Sequence, residues 1–370
     1  MRALFVTKHL RVGGAQRLWA ILVPGLRERG IDARVLTLED EGEFYDELDR
    51  RGVPVACARM RGRLDLRALG TLRAGRPDVV VTHDERSHFL GALLRVPQVL
   101  CDYGSPGFPW KPHRALVLRL VGPRVAAAVT VSATRNPDLA ARGVPAERIR
   151  VIPNGVDGSA FRPARTRAEV RAELGLEEDA FVALLPVVLR PEKHAPRFVR
   201  AVARAATLDR SVRGLVAGYG PEEAEVRALA EQLGGAVSVL GHRDDMPDLV
   251  EAVDAVCLTS DLEAVPYALL EAMALARPVV AMRAGALAEL VEDGVTGRLV
   301  PAADIDAFAA ALTELARDPV HARALGAAGQ ARQREGFDAA GMCDAYADLL
   351  RALAARSSTA ARAGAATPTE

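Results

Sequence analysis

The sequence predicts an α/β chain of two halves, each a parallel sheet covered by helices. Three observations predict it. Short apolar runs alternate with helix-forming runs from residue 3 to residue 131, the pattern of parallel strands joined through crossover helices. A turn sequence, Val151-Ile152-Pro153-Asn154-Gly155-Val156-Asp157, and a polar, proline-interrupted stretch at 158–175 then break the alternation. It restarts at Ala180-Phe181-Val182-Ala183-Leu184-Leu185. With 370 residues the chain has room for two domains.

Taken in order, Ala3-Leu4-Phe5-Val6 is the first strand, ending near Thr7. The loop 8–15 leads to a helix from Gln16 to about Arg29, which Gly30 closes. Further strands are expected at 33–38, 53–57, 78–82, 97–101 and 126–131. Pro153, Asn154 and Gly155 make a sharp turn, which suits a chain crossing between domains near residue 160. The second half gives strands at 180–185, 212–217, 236–240, 254–258, 278–282 and 298–300. The expected domains are 1–160 and 161–337, followed by a helix at 338–355. Residues 356–370 are mostly Ala, Ser, Thr and Gly without periodicity and read as an unstructured tail.

Half the residues are hydrophobic but only 4% are aromatic, so the cores must be mostly Ala, Val and Leu. No apolar run reaches the roughly 18 residues of a spanning helix. The N-terminus opens on a strand without signal-peptide shape, so a cytoplasmic placement is expected, with peripheral contact at the inner face of the membrane as an option. Cys57, Cys101, Cys257 and Cys343 lie far apart and read as buried reduced thiols. The formal net charge is zero, but the first half is net basic and the second net acidic. A basic front half suits an anionic acceptor or a membrane surface. Few aromatics and no basic motif interleaved with them argue against nucleic acid.

The chemistry concentrates at one corner. The apolar run Ala255-Val256-Cys257-Leu258 reads as a buried strand, and Leu269 to Ala276 as a helix. Between them runs S-D-L-E-A-V-P-Y-A-L-L-E, residues 260–271, with seven residues between Glu263 and Glu271. Ligands of open α/β sheets sit at the carboxyl ends of strands, where this corner lies. Two solvated glutamates around a helix start are the bland alternative. Only three lysines occur among 48 basic residues: Lys8, Lys111 and Lys193. Lys193 ends the loop Val188-Leu189-Arg190-Pro191-Glu192-Lys193. The Gly13-Gly14 loop precedes a helix, and such a helix start favours a phosphate, although two-glycine turns are common. His83 closes a strand and reads equally as a ligand-facing or a hydrogen-bonded loop histidine. Residues 110–121, apolar with basic punctuation, fit a membrane interface or a buried helix with snorkelling arginines. The arginines at 59, 61, 63, 67, 73 and 76 read as a solvated face.

The run 260–301, SDLEAVPYALLEAMALARPVVAMRAGALAELVEDGVTGRLVP, resembles the donor-site run of the retaining GT-B glycosyltransferases of family 4. The turn I-P-N-G-V-D at 152–157 resembles that family's interdomain linker. Val188 to Lys193 is similar to its phosphate clamp, G-R-L-x-P-E-K, and Gly218-Tyr219-Gly220-Pro221 to its G-x-G-P loop. The resemblance implies two Rossmann-like domains facing a central cleft, the last helix crossing back to the first domain. It implies transfer of a sugar from a nucleotide-diphosphate donor to an acceptor hydroxyl, in cell-surface glycan or glycolipid synthesis, with no cofactor and no metal. Lys193 and Arg190 would grip the diphosphate and Glu263 would face the sugar. Glu271 would hold the ribose. Gly14, Gly218, Gly220, Gly285, Leu270 and the Ala264-Val265-Pro266-Tyr267 segment would complete the donor site. The base would lie near Gly241-His242-Arg243. His83 and Tyr103 would flank a glycan, lipid-linked or small-molecule acceptor.

The chain departs from the family pattern at four places. Val188 takes the usual arginine position, with Arg190 two residues later. Tyr103 stands where a histidine is frequent, and Ala264 and Ala286 where glycines are. These departures keep a second reading open, a non-catalytic GT-B subunit that binds a sugar nucleotide or supports a partner. A GT-B sugar-nucleotide epimerase is a third class, with no reason to carry this glutamate corner.

Overall fold

A computed structural model describes residues 1–11, 13–62, 65, 67–106 and 111–365. Trp110 and Arg63, singled out above, lie outside them. The chain divides into two compact units. The first carries β1 (Arg2–Thr7), α1 (Gly14–Glu28), β2 (Asp32–Thr37), α2 (Tyr45–Arg50), β3 (Val55–Cys57), α3 (Arg67–Ala74), β4 (Val79–Thr82), α4 (Glu85–Ala92), β5 (Gln98–Asp102), α5 (Pro112–Val121), β6 (Ala127–Thr130), α6 (Asn136–Ala140) and β7 (Ile149–Val151). The second carries α7 (Arg167–Glu173), β8 (Phe181–Pro186), α8 (Ala195–Leu208), β9 (Val212–Ala217), α9 (Glu223–Gln232), β10 (Val237–Gly241), α10 (Met246–Ala252), β11 (Ala255–Leu258), α11 (Tyr267–Ala274), β12 (Val279–Met282), α12 (Leu287–Leu290), β13 (Arg298–Val300), α13 (Ile305–Arg317) and α14 (Pro319–Gly336). The last helix, α15 (Ala339–Ala365), belongs to the first unit.

Among the described residues the first sheet runs β3-β2-β1-β4-β5-β6-β7 and the second β10-β9-β8-β11-β12-β13. Every recorded pairing between these strands is parallel. This is the doubly wound order of Rossmann-like domains. Strand order reverses between β1 and β4 in one sheet and between β8 and β11 in the other. Ligands of such sheets bind outside the carboxyl ends of the strands at those reversals. The central strands read as unbroken apolar runs because both faces are covered: Phe5, Val6, Val80, Val81, Val256 and Cys257 are all fully buried.

The expected strands are present with ends displaced by one or two residues, the usual scatter of element boundaries. β7 was not expected, because its three residues abut the Pro153–Gly155 turn. The chain passes from one unit to the other at Asn154–Gly155, inside that turn rather than near 160. α15 continues to Ala365, ten residues into the expected tail. Ala and Arg propagate a helix well once it is nucleated, and the Ser-Ser-Thr step at 357–359 does not stop it.

α1 buries Leu18, Trp19, Leu22, Val23 and Leu26 and packs against α15. Two details fix that contact. A Cβ on Gly25 would lie 2.5 Å from Cys343 Sγ, so glycine lets the helices approach. Arg29 Nε donates to Asp344 at 2.6 Å, and Arg351 donates to the Arg29 carbonyl at 2.7 Å. The cysteines are free thiols, and burial pushes Cys101 up to about 12. No helix among the described residues is long and apolar enough to cross a membrane.

Candidate functional site

The second unit brings the expected donor residues to the reversal of its sheet. Lys193 comes from the loop after β8 and Glu263 from the loop after β11. Lys193 Nζ donates to Glu263 Oε1 at 2.6 Å. Glu263 is 5% exposed and Glu271, in α11, 4%. A carboxylate that buried needs a cation or donors beside it, and Lys193 supplies one. The ammonium has three N–H donors, so two are left for another ligand. Arg190 is exposed, three residues before Lys193 in the same turn, where the Lys193 N–H donates to the Arg190 carbonyl at 2.9 Å.

The loops that carry this pair are tied together by residues that no motif singled out. Thr259 Oγ1 donates to the carbonyls of Lys193 and His194, at 3.2 and 3.1 Å. The Asp261 N–H donates to the Glu192 carbonyl. His194 has φ +49°, a left-handed conformation unusual for a residue other than glycine. Its Nε2 lies 2.5 Å from one oxygen of Asp261, and Arg197 pairs with the other. The Arg197 hydrogen bond, with His194 adding to it, holds the Asp261 carboxyl below its ordinary range. The only sequence trace was a lone aspartate two residues before Glu263 and a His-x-x-Arg spacing at a helix start.

Three glycines serve the packing of these loops. A Cβ on Gly285, where φ is +50°, would fall 1.9 Å from the Glu263 carbonyl oxygen. That oxygen accepts the Ala286 N–H at 2.9 Å. The Ala286 methyl is buried in the protein, at 1% exposure. Added Cβ atoms on Gly218 and Gly220 would lie 1.8 Å from the Val187 carbonyl oxygen and 2.4 Å from that of Leu189. These two glycines therefore let the loop after β9 lie flat against the loop after β8. From Glu263 to Ala268 burial alternates, so Ala264, Pro266 and Ala268 are half-buried while Val265 and Tyr267 face inward. Leu270 is fully buried and contributes through the core. The α11 N-terminus has no side-chain cap, which leaves its first N–H groups pointing out of the helix. Tyr219 and His242 meet edge to face, ring centroids 5.2 Å apart, at the ends of β9 and β10. Both are exposed. Arg243 is engaged by Glu173 and Asp245.

In the first unit, Gly13 and Gly14 open α1, and a Cβ on Gly14 would meet nothing within 4 Å. His83 stacks on Tyr103, centroids 4.8 Å apart and planes at 24°. Tyr103 accepts the Trp19 indole N–H at 3.2 Å, and its hydroxyl lies 3.2 Å from that of Tyr346. Burial pushes His83 down and Tyr103 well up, so both rings are neutral near neutral pH. The phenol that replaces a frequent histidine is thus a member of a half-buried aromatic stack. Behind it, the buried Arg135 pairs with Asp102 at 3.2 Å and Asp138 at 2.7 Å, a network the sequence did not single out. Among the described residues no group of three or more His, Cys, Asp and Glu side chains is placed to hold a metal.

Two family descriptions match the chain. Glycosyl transferases group 1 matches residues 166–332, and Glycosyltransferase Family 4 matches residues 12–159. The D-inositol 3-phosphate glycosyltransferase of Kribbella flavida is 30% identical over 335 residues, covering 80% of this chain and 74% of the relative. The Streptomyces bingchenggensis enzyme of the same name is 32% identical over 226 residues, covering 56% of this chain and half of the relative. The crystal structure of Anabaena HepE in complex with UDP superposes with a TM-score of 0.86 at 24% identity, covering 95% of this chain and all of that one. The likeness spans both units and rests on the sequence as well as on the fold: the chain belongs to the family 4 glycosyltransferases, enzymes of the GT-B fold.

Proposed function

We propose that the chain transfers a sugar, with retention of anomeric configuration, from a nucleoside-diphosphate sugar to an acceptor hydroxyl. The observation that carries this reading is the Lys193–Glu263 pair, cation and buried acid 2.6 Å apart at the reversal of the second sheet. The diphosphate takes Lys193, Arg190 and the uncapped start of α11. Fixed cations and helix N-termini aimed at the leaving group stabilise the charge that builds there. Glu271 accepts from the ribose diol, and the base lies against Tyr219 and His242. The Anabaena relative was solved with UDP, which supports a uridine donor. In the reaction the C1–O bond breaks and its electron pair stays on the diphosphate. The acceptor oxygen bonds to C1 on the same face, and its proton passes to the departing phosphate oxygen.

The acceptor we propose is an anionic polyol or lipid-linked glycan that enters cell-surface material. The net basic first half supports it, as do relatives named for an inositol phosphate. The test is incubation with a panel of UDP- and GDP-sugars, following release of the free nucleotide and the anomer of the product by NMR. Turnover with an α-linked product from an α-linked donor supports the reading. Binding without hydrolysis or transfer for every donor overturns it in favour of a non-catalytic subunit.

A further inference from the structure

The first unit holds a cavity of about 420 Å³ at the end of its sheet away from the ligand-binding strand ends. It is lined by Arg73, in the last turn of α3, by Arg76 just after that helix, and by Arg95 with Leu93, Leu94 and Val96, between α4 and β5. These residues sit before β4 and β5 begin, whereas His83 and Tyr103 follow their far ends. Four or five strand residues, roughly 15 Å, separate the two places.

Arg73, Arg76 and Arg95 line this cavity and are exposed, and among the described residues none of their guanidiniums has a hydrogen-bond or ion-pair partner. Other arginines of the same unit have acidic partners. Arg29 pairs with Asp344, Arg34 with Asp32 and Arg135 with Asp102 and Asp138. Asp78, the acid next along the chain, is held by Arg2 through its backbone N–H at 2.7 Å and its guanidinium at 3.5 Å. Three like charges around one cavity raise the local potential for an anion. Arg76 also has φ +40°, a left-handed conformation uncommon outside glycine. The wall opposite the charges is apolar: Leu94 is buried, and Leu93 is 39% exposed at the rim. The same end of the unit presents Arg124 and the exposed Leu120, beside the start of β5, where the Ala126 N–H donates to the Gln98 carbonyl.

We propose that Arg73, Arg76 and Arg95 form a second anion site, separate from the donor site. Its ligand is a phosphate ester with an apolar portion that rests on Leu93 and Leu94. Guanidinium groups bind phosphate oxygens in pairs and carry their charge at every ordinary pH. A lipid headgroup and a soluble phosphate ester share this chemistry.

The test uses the full chain and the triple variant R73Q/R76Q/R95Q. One arm measures flotation with phosphatidylcholine vesicles with and without phosphatidylglycerol. The other measures calorimetric titration with glycerol 3-phosphate and inorganic phosphate. A charge-matched control, R11Q/R34Q/R59Q, removes arginines that are ion-paired in the same unit. We expect the wild type and the control to bind and the triple variant to bind at least tenfold more weakly, with unchanged circular dichroism. Nucleotide-sugar hydrolysis should stay the same in all three, which separates this site from the donor site. Loss of vesicle binding assigns the ligand to the membrane, and L93S should then weaken flotation alone. Phosphate binding without flotation assigns it to a soluble ester, and the site stands. Failure of the wild type to bind either probe, or equal binding by the triple variant, overturns the proposal.

Discussion

Gly285 lies so close to Glu263 that a side chain there would strike the Glu263 carbonyl oxygen at 1.9 Å. The Gly285 turn and the Ala286 N–H thus fix the backbone of the acid that meets Lys193. We expect G285A to lower nucleotide-sugar turnover about a hundredfold, the scale of a small misplacement at a reacting centre. Strain alone is controlled by G294A. Gly294 also has positive φ, but an added Cβ there meets nothing within 4 Å. Each variant should lose roughly 1–2 kcal/mol from the left-handed backbone, and G285A more. Equal activities in the two variants would show that the contact with Glu263 does not matter.

Lys193 is the cation we assign to the diphosphate. K193A should reduce kcat by about 10²–10³, as removal of one group stabilising a developing charge does. It also leaves Glu263 buried without its cation, which costs stability. The variant E263Q/K193A separates the effects, since a neutral amide at 263 needs no counter-charge. That double variant should recover stability, yet turn over well below E263Q alone. Equal turnover of E263Q and the double variant would mean that Lys193 acts only as Glu263's counterion.

His88 makes the first unit sensitive to mild acid. Its Nδ1 lies 2.9 Å from Thr82 Oγ1 inside the protein. Burial pushes it well below the ordinary 6.5, and nearby His83 and Arg114 push further. His83 is also lowered, by burial first. Below pH 6.5 the unfolded chain therefore binds protons that the folded chain refuses. Stability is complete above about 6.5 and falls as pH drops towards the folded values, by up to ~1.4 kcal/mol per pH unit for each group. H88Q should roughly halve that slope between pH 6.5 and 5 in urea titrations. An unchanged slope would remove His88 from the account.

The parts of this molecule that follow a period or a spacing were legible in the sequence. Parallel strands covered on both faces are continuous apolar runs, so both sheets were visible. The Glu263–Glu271 corner and the Lys193 loop keep their order along the chain and were visible too. Interactions between distant positions were not. Nothing near His194 indicates that it will reach Asp261, because the partner arrives through the folding of a second loop. The glycines at 218 and 220 stood out as a donor-loop motif, and their close approach to the Val187 and Leu189 carbonyls was not legible. The tail was misread because Ala-rich composition lacks a periodic face, whereas helix continuation from α15 needs only propensity.

Pro24 offers a test of how the fold repairs its own defects. It sits inside α1 and is buried, yet it has no N–H to donate to the Ala20 carbonyl four residues back. Arg51 Nη1 donates to that carbonyl instead, at 2.7 Å. Ala20 is 1% exposed, so water is a poor substitute for the arginine. R51M should therefore cost about 1–3 kcal/mol, the penalty of leaving a buried acceptor unsatisfied. In a P24A background the alanine N–H restores the helical bond, and R51M should then cost a few tenths of a kcal/mol at most. Chemical denaturation of the four proteins in the cycle measures the coupling directly. Equal costs in both backgrounds would mean that Arg51 stabilises the unit through its methylene stem and not through the carbonyl that Pro24 abandons.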